Sequence, residues 1–356
     1  GDLHASNLIK EIIKLEPNAD IRAWGGDKMQ NAGANVVKHF KDLAFMGFYE
    51  VLINLRTILK NISFCKKDIL EFSPDKIIFV DYPGFNMRIA KWSKKYKFQT
   101  IYYIAPQLWA WNEKRIKKIK KYIDSLYVIL PFEKEFFETK HKYPVKFLGH
   151  PLLDSISNFK KNYDSSSEQI ITNKKAVIAI LPGSRKQEIK KILNTVIKIV
   201  DYFPDHQFIV AGAPNIKLSY YKSILKNKRI KVIENKTYES LSISTAAIVT
   251  SGTATLETAL FKVPQIVCYK SSYFSYFIAK LIVNIKYISL VNLIMDQQIV
   301  KELIQQDCNK DKIRYELEKI LDLNNKKSLQ IKYDELTSIL GNFGTSKRVA
   351  LDIITK

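Results

Sequence analysis

The stretch VIAILPGSRKQEI, Val177 to Ile189, decides the fold. A continuous apolar run runs into Pro182-Gly183-Ser184-Arg185 and then into a helical pattern carrying Glu188, which is the order strand, glycine turn, helix start. A helix begun in this way aims unpaired backbone N–H groups and its positive end at any anion above the turn. Arg185 adds a planar fork of donors suited to a diphosphate, so Gly183, Ser184, Arg185 and Glu188 are candidate phosphate-binding residues. A plain βα turn with an exposed arginine is the competing reading.

The arrangement recurs in AAIVTSGTATLE, Ala246 to Glu257. Ser251, Gly252, Thr253 and Ala254 form a turn of small residues fit for an anion nest, and Glu257 lies one helical turn in, placed to accept hydrogen bonds from ribose hydroxyls. Glycine as a packing device would explain either turn alone. Two of them in one domain describe a nucleotide-diphosphate pocket at the carboxyl ends of parallel strands.

Working outward, similar apolar runs stand at Lys76 to Asp81, Thr100 to Ile104, Ser125 to Leu130, Lys146 to Leu148, Gln207 to Ala211, Ile230 to Ile233 and Gln265 to Tyr269. Helical patterns cover Arg185 to Tyr202, Thr253 to Phe261, Asp296 to Gln306, Asp311 to Leu323, Ser328 to Leu340 and Ser346 to Ile354. The chain therefore reads as α/β with two Rossmann-like domains. Its 356 residues suit that count. The polar, serine-rich segment Ser155 to Lys175 reads as the linker, giving domains at 1–160 and 176–340 and a terminal helix at 341–356 that can pack back on the first.

KIIFVD ends on Asp81, followed by Tyr82-Pro83-Gly84, so a carboxylate stands at a strand's carboxyl end where a general base is useful; a turn aspartate is the alternative. Neither a D-x-D pair nor a close histidine pair occurs, which leaves a leaving diphosphate to backbone dipoles and Arg185; no metal or other cofactor is expected. The cysteines Cys65, Cys268 and Cys308 are widely separated, against a zinc knuckle or disulfide framework and in keeping with a reducing cytoplasm. A net charge of +22 predicts attraction to polyanions, or reflects a lysine-heavy background. Tyr49 to Lys60 spaces Val51, Leu52, Leu55, Ile58 and Leu59 along one helical face, and KRIKKIKK (Lys114 to Lys121) follows Trp109-Ala110-Trp111. Both suit an anionic membrane interface, the first equally a core helix and the second equally RNA. The apolar stretch Tyr273 to Met295 is interrupted by Lys280 and Lys286, short of a membrane span, and the opening residues do not read as a signal peptide.

These strings together resemble the lipid-A-disaccharide synthase family. The matching segments run in order: GDLHASNLIKEI (Gly1 to Ile12), WGGDKMQNAG (Trp24 to Gly33), LAFMGFYEVL (Leu43 to Leu52), VDYPGFN (Val80 to Asn86), APQLWAW (Ala105 to Trp111), LPFEKEFF (Leu130 to Phe137), FLGHPLLD (Phe147 to Asp154), LPGSRKQEI (Leu181 to Ile189), TSGTATLE (Thr250 to Glu257) and ISLVNLI (Ile288 to Ile294). The glycine turns alone fit many UDP-sugar enzymes; the collinear set is specific.

The resemblance implies a GT-B glycosyltransferase with two Rossmann-like domains facing across a cleft. It implies transfer of 2,3-diacylglucosamine from UDP to the 6-hydroxyl of 2,3-diacylglucosamine 1-phosphate with inversion, by a cytoplasmic enzyme peripherally bound to the inner membrane. Under it Asp81 is the base, Arg185 with the Gly252 turn stabilises the departing UDP, Tyr49, Val51, Leu52, Leu55, Ile58 and Leu59 face the acyl chains, and Asn292 is a donor-site position. No nucleic-acid partner is expected, and a homodimer is left open. The family opens with a strand and G-E-A-S-G-D, whereas this chain starts at the final Gly1-Asp2, so the first strand is expected to be missing and the first sheet open. The rivals are another UDP-sugar enzyme of this architecture, an epimerase or a peptidoglycan lipid-acceptor transferase, and a basic RNA-binding protein.

Overall fold

A computed structural model of the chain describes residues 1–42, 55–163, 175–226, 229–272, 276–277 and 285–355. The chain divides into two compact units, Gly1–Ser155 with Leu340–Lys356, and Ile156–Ile339. Each is an α/β unit whose strands pair in parallel.

In the first unit, β1 (Arg22–Gly25) pairs with β2 (Asn35–His39), and a separate sheet runs β3 (Lys76–Val80), β4 (Gln99–Tyr103), β5 (Ser125–Val128), β6 (Lys146–Phe147). In the second, β7 (Ala176–Leu181), β8 (His206–Gly212), β9 (Ile230–Glu234), β10 (Ser244–Thr250), β11 (Gln265–Tyr269) and β12 (Lys301–Ile304) form one sheet in the order β12-β11-β10-β7-β8-β9. This is the doubly wound order, reversing direction between β7 and β10.

The continuous apolar runs are explained by burial on both faces of that sheet. Ile178, Ile180, Phe208, Val210, Ile248 and Ile266 pack with Ile189, Ile192, Leu193 and Val196 of helix Lys186–Val196. The alternate positions Ala179, Leu181, Ala211, Ala247 and Val249 pack on the other side with Leu241 and Val263. A strand covered twice has no solvent face on which to place polar residues.

Two sequence expectations are corrected. Asp296 to Gln306 is not a helix: helix Leu290–Met295 stops at Asp296, whose φ of 45° is left-handed, and Lys301–Ile304 is the edge strand β12. Its alternation is masked by Lys301 and Glu302, polar residues that an edge strand tolerates. The first part of the expected linker is also ordered. Helix Leu152–Asn162 carries the boundary between the units, with Leu152, Leu153 and Ile156 buried; serine, asparagine and lysine content hides that spacing. Residues 164–174 of the expected linker lie outside the described residues.

Helix Thr345–Ile354 packs within the first unit, where Val349, Ala350 and Ile353 meet Leu8, Ile101, Tyr103 and Tyr127. Its start is held by the buried Asp154, whose carboxylate accepts from the N–H groups of Gly344 (2.6 Å), Thr345 (3.2 Å) and Ser346 (2.7 Å). No side chain of the helix's own sequence performs this cap. Asp154→Ala leaves three donors without an acceptor, and we expect a loss of about 2 kcal/mol. A thermal melt should show that as a drop of about 4 to 8 °C; an unchanged melt would mean the helix is held without the cap.

Candidate active site

The pocket of the second unit lies at the carboxyl ends of β7 and β10, on either side of the strand reversal, and encloses about 410 Å³. Gly183, Ser184, Arg185, Glu188, Ser251, Gly252, Thr253, Ala254 and Glu257 all line it, so the structure brings the two sequence-read turns together. Gly183 has φ of +98°, and a Cβ there would stand 3.0 Å from Oε2 of Glu188. Gly252 has φ of +143° and precedes helix Thr253–Leu260. Both conformations favour glycine on backbone grounds. The first N–H groups of the helices Lys186–Val196 and Thr253–Leu260 lack intrahelical acceptors and mark the anion end of the pocket.

Hydrogen bonds fix both turns from behind. Asn215 donates to the carbonyl of Ser184 at 3.1 Å, and the Ser251 hydroxyl donates to the carbonyl of Ile288 at 2.7 Å. Arg185 pairs with Glu188 at 2.9 Å, yet its side chain is 72% exposed. A pair that open is weak, and the guanidinium is free to exchange a carboxylate for a phosphate. Thr250, at the end of β10, has a buried hydroxyl with no partner among the described residues and lines the same pocket. Burial pushes the Glu257 carboxyl above the ordinary range, and the hydrogen bond from the Tyr238 hydroxyl works against that shift.

Asn292 is fully buried and is not among the pocket-lining residues. Its amide donates to the carbonyl of Val300 and to Glu302, and accepts from the N–H groups of Ile299 and Val300. Glu302 in turn accepts from Ile288 and Ser289, the segment on which Ser251 rests. Asn292 thus acts on the pocket through the backbone behind the Gly252 turn. Glu302 and Tyr238 were not read from the sequence: a single glutamate in an edge strand and a tyrosine in a short helix carry no local signal.

In the first unit Asp81 directly follows β3 with φ of 50°, and Tyr82 comes next with φ of 44°. Two successive left-handed residues other than glycine are costly and need external support. The carbonyl of Asp81 accepts from the Tyr102 hydroxyl (2.6 Å) and from the Asn86 amide (2.7 Å). Pro83 and Gly84 are not a turn, as the sequence suggested, but the opening of helix Pro83–Ser93, where proline lacks only a donor that would be idle. The Asp81 side chain is exposed and makes no hydrogen bond to a described residue. Asp2 accepts from the N–H groups of Gly26, Lys28 and Met29, and burial presses His4 down to about 4.

Of the apolar face between Tyr49 and Lys60, Tyr49, Val51 and Leu52 lie outside the described residues, as does the side chain of Leu55. Helix Leu55–Phe72 turns Ile58 and Ile62 to the core and leaves Leu59 53% and Phe64 44% exposed beside Arg56, Lys60 and Lys67. In the basic run, Lys114, Lys117, Lys118, Lys120 and Lys121 are exposed, and Arg115 lies over the ring of the exposed Trp111 at 4.6 Å. Among the described residues no helix is long and apolar enough to cross a membrane.

Comparison with known proteins agrees with this geometry. A lipid-A-disaccharide synthase of Coxiella burnetii is 36% identical over 329 residues, covering 91% of this chain and 87% of the relative. That of Syntrophus aciditrophicus is 33% identical over 363 residues, covering 100% and 94%. Among solved structures, the UDP-GlcNAc 2-epimerase of Methanocaldococcus jannaschii in complex with UDP-GlcNAc and UDP superposes with a TM-score of 0.66 at 15% identity, covering 100% of this chain and 98% of that one. A putative UDP-N-acetylglucosamine 2-epimerase from Listeria monocytogenes gives 0.67 at 14%, covering 99% and 93%. At such identities the likeness shows the fold, that of GT-B transferases and their epimerase kin. The family model described as lipid-A-disaccharide synthetase matches residues 1–351, and the chain belongs to that family.

Proposed function

We propose that the chain joins UDP-2,3-diacylglucosamine to 2,3-diacylglucosamine 1-phosphate, releasing UDP and the disaccharide monophosphate of lipid A. The observation that carries this reading is the pocket with two glycine turns at the β7/β10 reversal, in a chain matched along 1–351 to the synthetase family. The second unit takes the donor. Its diphosphate meets the helix starts behind Gly183 and Gly252, and Arg185 leaves Glu188 to pair with it.

The first unit takes the acceptor, with Asp81 as general base. The acceptor's 6-hydroxyl oxygen attacks the anomeric carbon as its proton passes to the Asp81 carboxylate, and the bond from that carbon to the β-phosphate oxygen breaks on the opposite side. The pair of electrons leaves with UDP, whose growing charge the N–H groups and Arg185 stabilise. An exposed carboxylate with no partner among the described residues, on a backbone held in a strained conformation, supports the role. Acylated substrates also call for a membrane surface. We assign peripheral attachment at the cytoplasmic leaflet to the exposed face of helix Leu55–Phe72 and to the basic run with Trp111.

Asp81→Asn keeps shape but cannot take the proton. Turnover should fall by about 10² to 10⁴ while UDP affinity stays within about twofold; a variant retaining most of its turnover would remove Asp81 from the role. For the membrane, Leu59→Ser with Phe64→Ser should weaken binding to anionic phospholipid vesicles at least about tenfold, each half-exposed side chain giving up about 0.7 to 1.5 kcal/mol of burial. Melting should fall only slightly, since Leu59 is more than half exposed and Phe64 gives up its ring contact with Trp24 at 5.4 Å. Undiminished vesicle binding would move the attachment elsewhere.

A further inference from the structure

Tyr238 lies in helix Thr237–Ser242, next to Thr237, which lines the donor pocket. Its hydroxyl donates to Oε1 of Glu257 at 3.0 Å. The ring is locked from two sides, by Phe261 with centroids 5.2 Å apart and by Phe159 edge-on at 5.4 Å. Glu257 comes from a different element, helix Thr253–Leu260, one turn beyond Gly252. Its second oxygen, Oε2, makes no hydrogen bond to a described residue, and Glu257 lines the pocket. One oxygen is therefore held and the other is open. The open oxygen has two lone-pair sites, enough for a vicinal pair of hydroxyls, and a rigid aromatic donor on the first oxygen fixes the plane in which those sites lie.

We propose that Tyr238 is a positioning residue for the donor's ribose: it holds Glu257 by one carboxylate oxygen so that the other receives the ribose diol. The inference rests on the reading of this pocket as a UDP-sugar site and adds to it the residue that orients the ribose acceptor. The phenol also favours the ionised form of Glu257 against burial, and only that form accepts at both oxygens. Tyr238 itself is not among the pocket-lining residues, so its effect falls on ground-state and transition-state binding alike.

The test is titration of the whole chain with UDP and with 2′,3′-dideoxy-UDP, for the parent protein, Tyr238→Phe, Glu257→Gln and the double variant. Phenylalanine keeps the ring packing and removes only the donor. Tyr238→Phe should weaken UDP about tenfold, the scale of one hydrogen bond to a charged group, and leave dideoxy-UDP unchanged. The donor KM should rise by the same factor with kcat retained, and in the Glu257→Gln background the tyrosine substitution should have no further effect. Equal UDP affinity in parent and Tyr238→Phe would overturn the proposal. So would equal loss for both nucleotides, or additive effects in the double variant. A parent chain that binds neither nucleotide would instead overturn the donor-site reading itself.

Discussion

The functional geometry of the second unit depends on one topological constraint, the reversal of strand order between β7 and β10. Strands on the two sides of that point send their following helices to opposite faces of the sheet, which leaves a crevice at the carboxyl ends that no crossover connection fills. Both glycine turns stand there, one after each central strand. The crevice is therefore rigid on the side that matters, because β7 and β10 are buried on both faces and pair with each other along their length. Donors on such a scaffold need little reorganisation when an anion arrives.

A second layer of hydrogen bonds sets the position of those donors. Asn215 fixes Ser184, while Glu302 and Asn292 fix the backbone of Ile288 and Ser289 on which Ser251 rests. The Asn292 amide has partners on both its nitrogen and its oxygen, so it contributes to the pocket by holding this backbone. The first unit solves a similar problem by a different route. There the carboxylate of Asp81 is presented by a strained backbone, and the strain is offset by the hydrogen bonds that Tyr102 and Asn86 give to its carbonyl.

What the sequence discloses follows from how local each signal is. The two glycine turns are legible because strand, turn and helix start lie within a dozen or so residues, and buried parallel strands advertise themselves as apolar runs. Short or edge strands are not: Arg22–Gly25 and Asn35–His39 are brief, and Lys301–Ile304 carries a lysine and a glutamate. Ser155 to Asn162, the larger part of helix Leu152–Asn162, reads as linker because serine, asparagine and lysine outnumber its apolar residues Ile156 and Phe159. Tyr238 and Glu302 are invisible for another reason. Their partners stand at Glu257 and at Ile288 to Asn292, and only the folded chain makes them neighbours.

On the proposed reading the chemistry is a displacement at an anomeric carbon, with the Asp81 carboxylate receiving the proton and backbone dipoles with Arg185 receiving the charge. Mass analysis of the products after incubation with UDP-2,3-diacylglucosamine and 2,3-diacylglucosamine 1-phosphate, in buffer containing EDTA, tests it most directly. The account predicts the acylated disaccharide monophosphate together with free UDP. Unreacted acceptor, with the UDP-sugar either untouched or epimerised at the same mass, would contradict it.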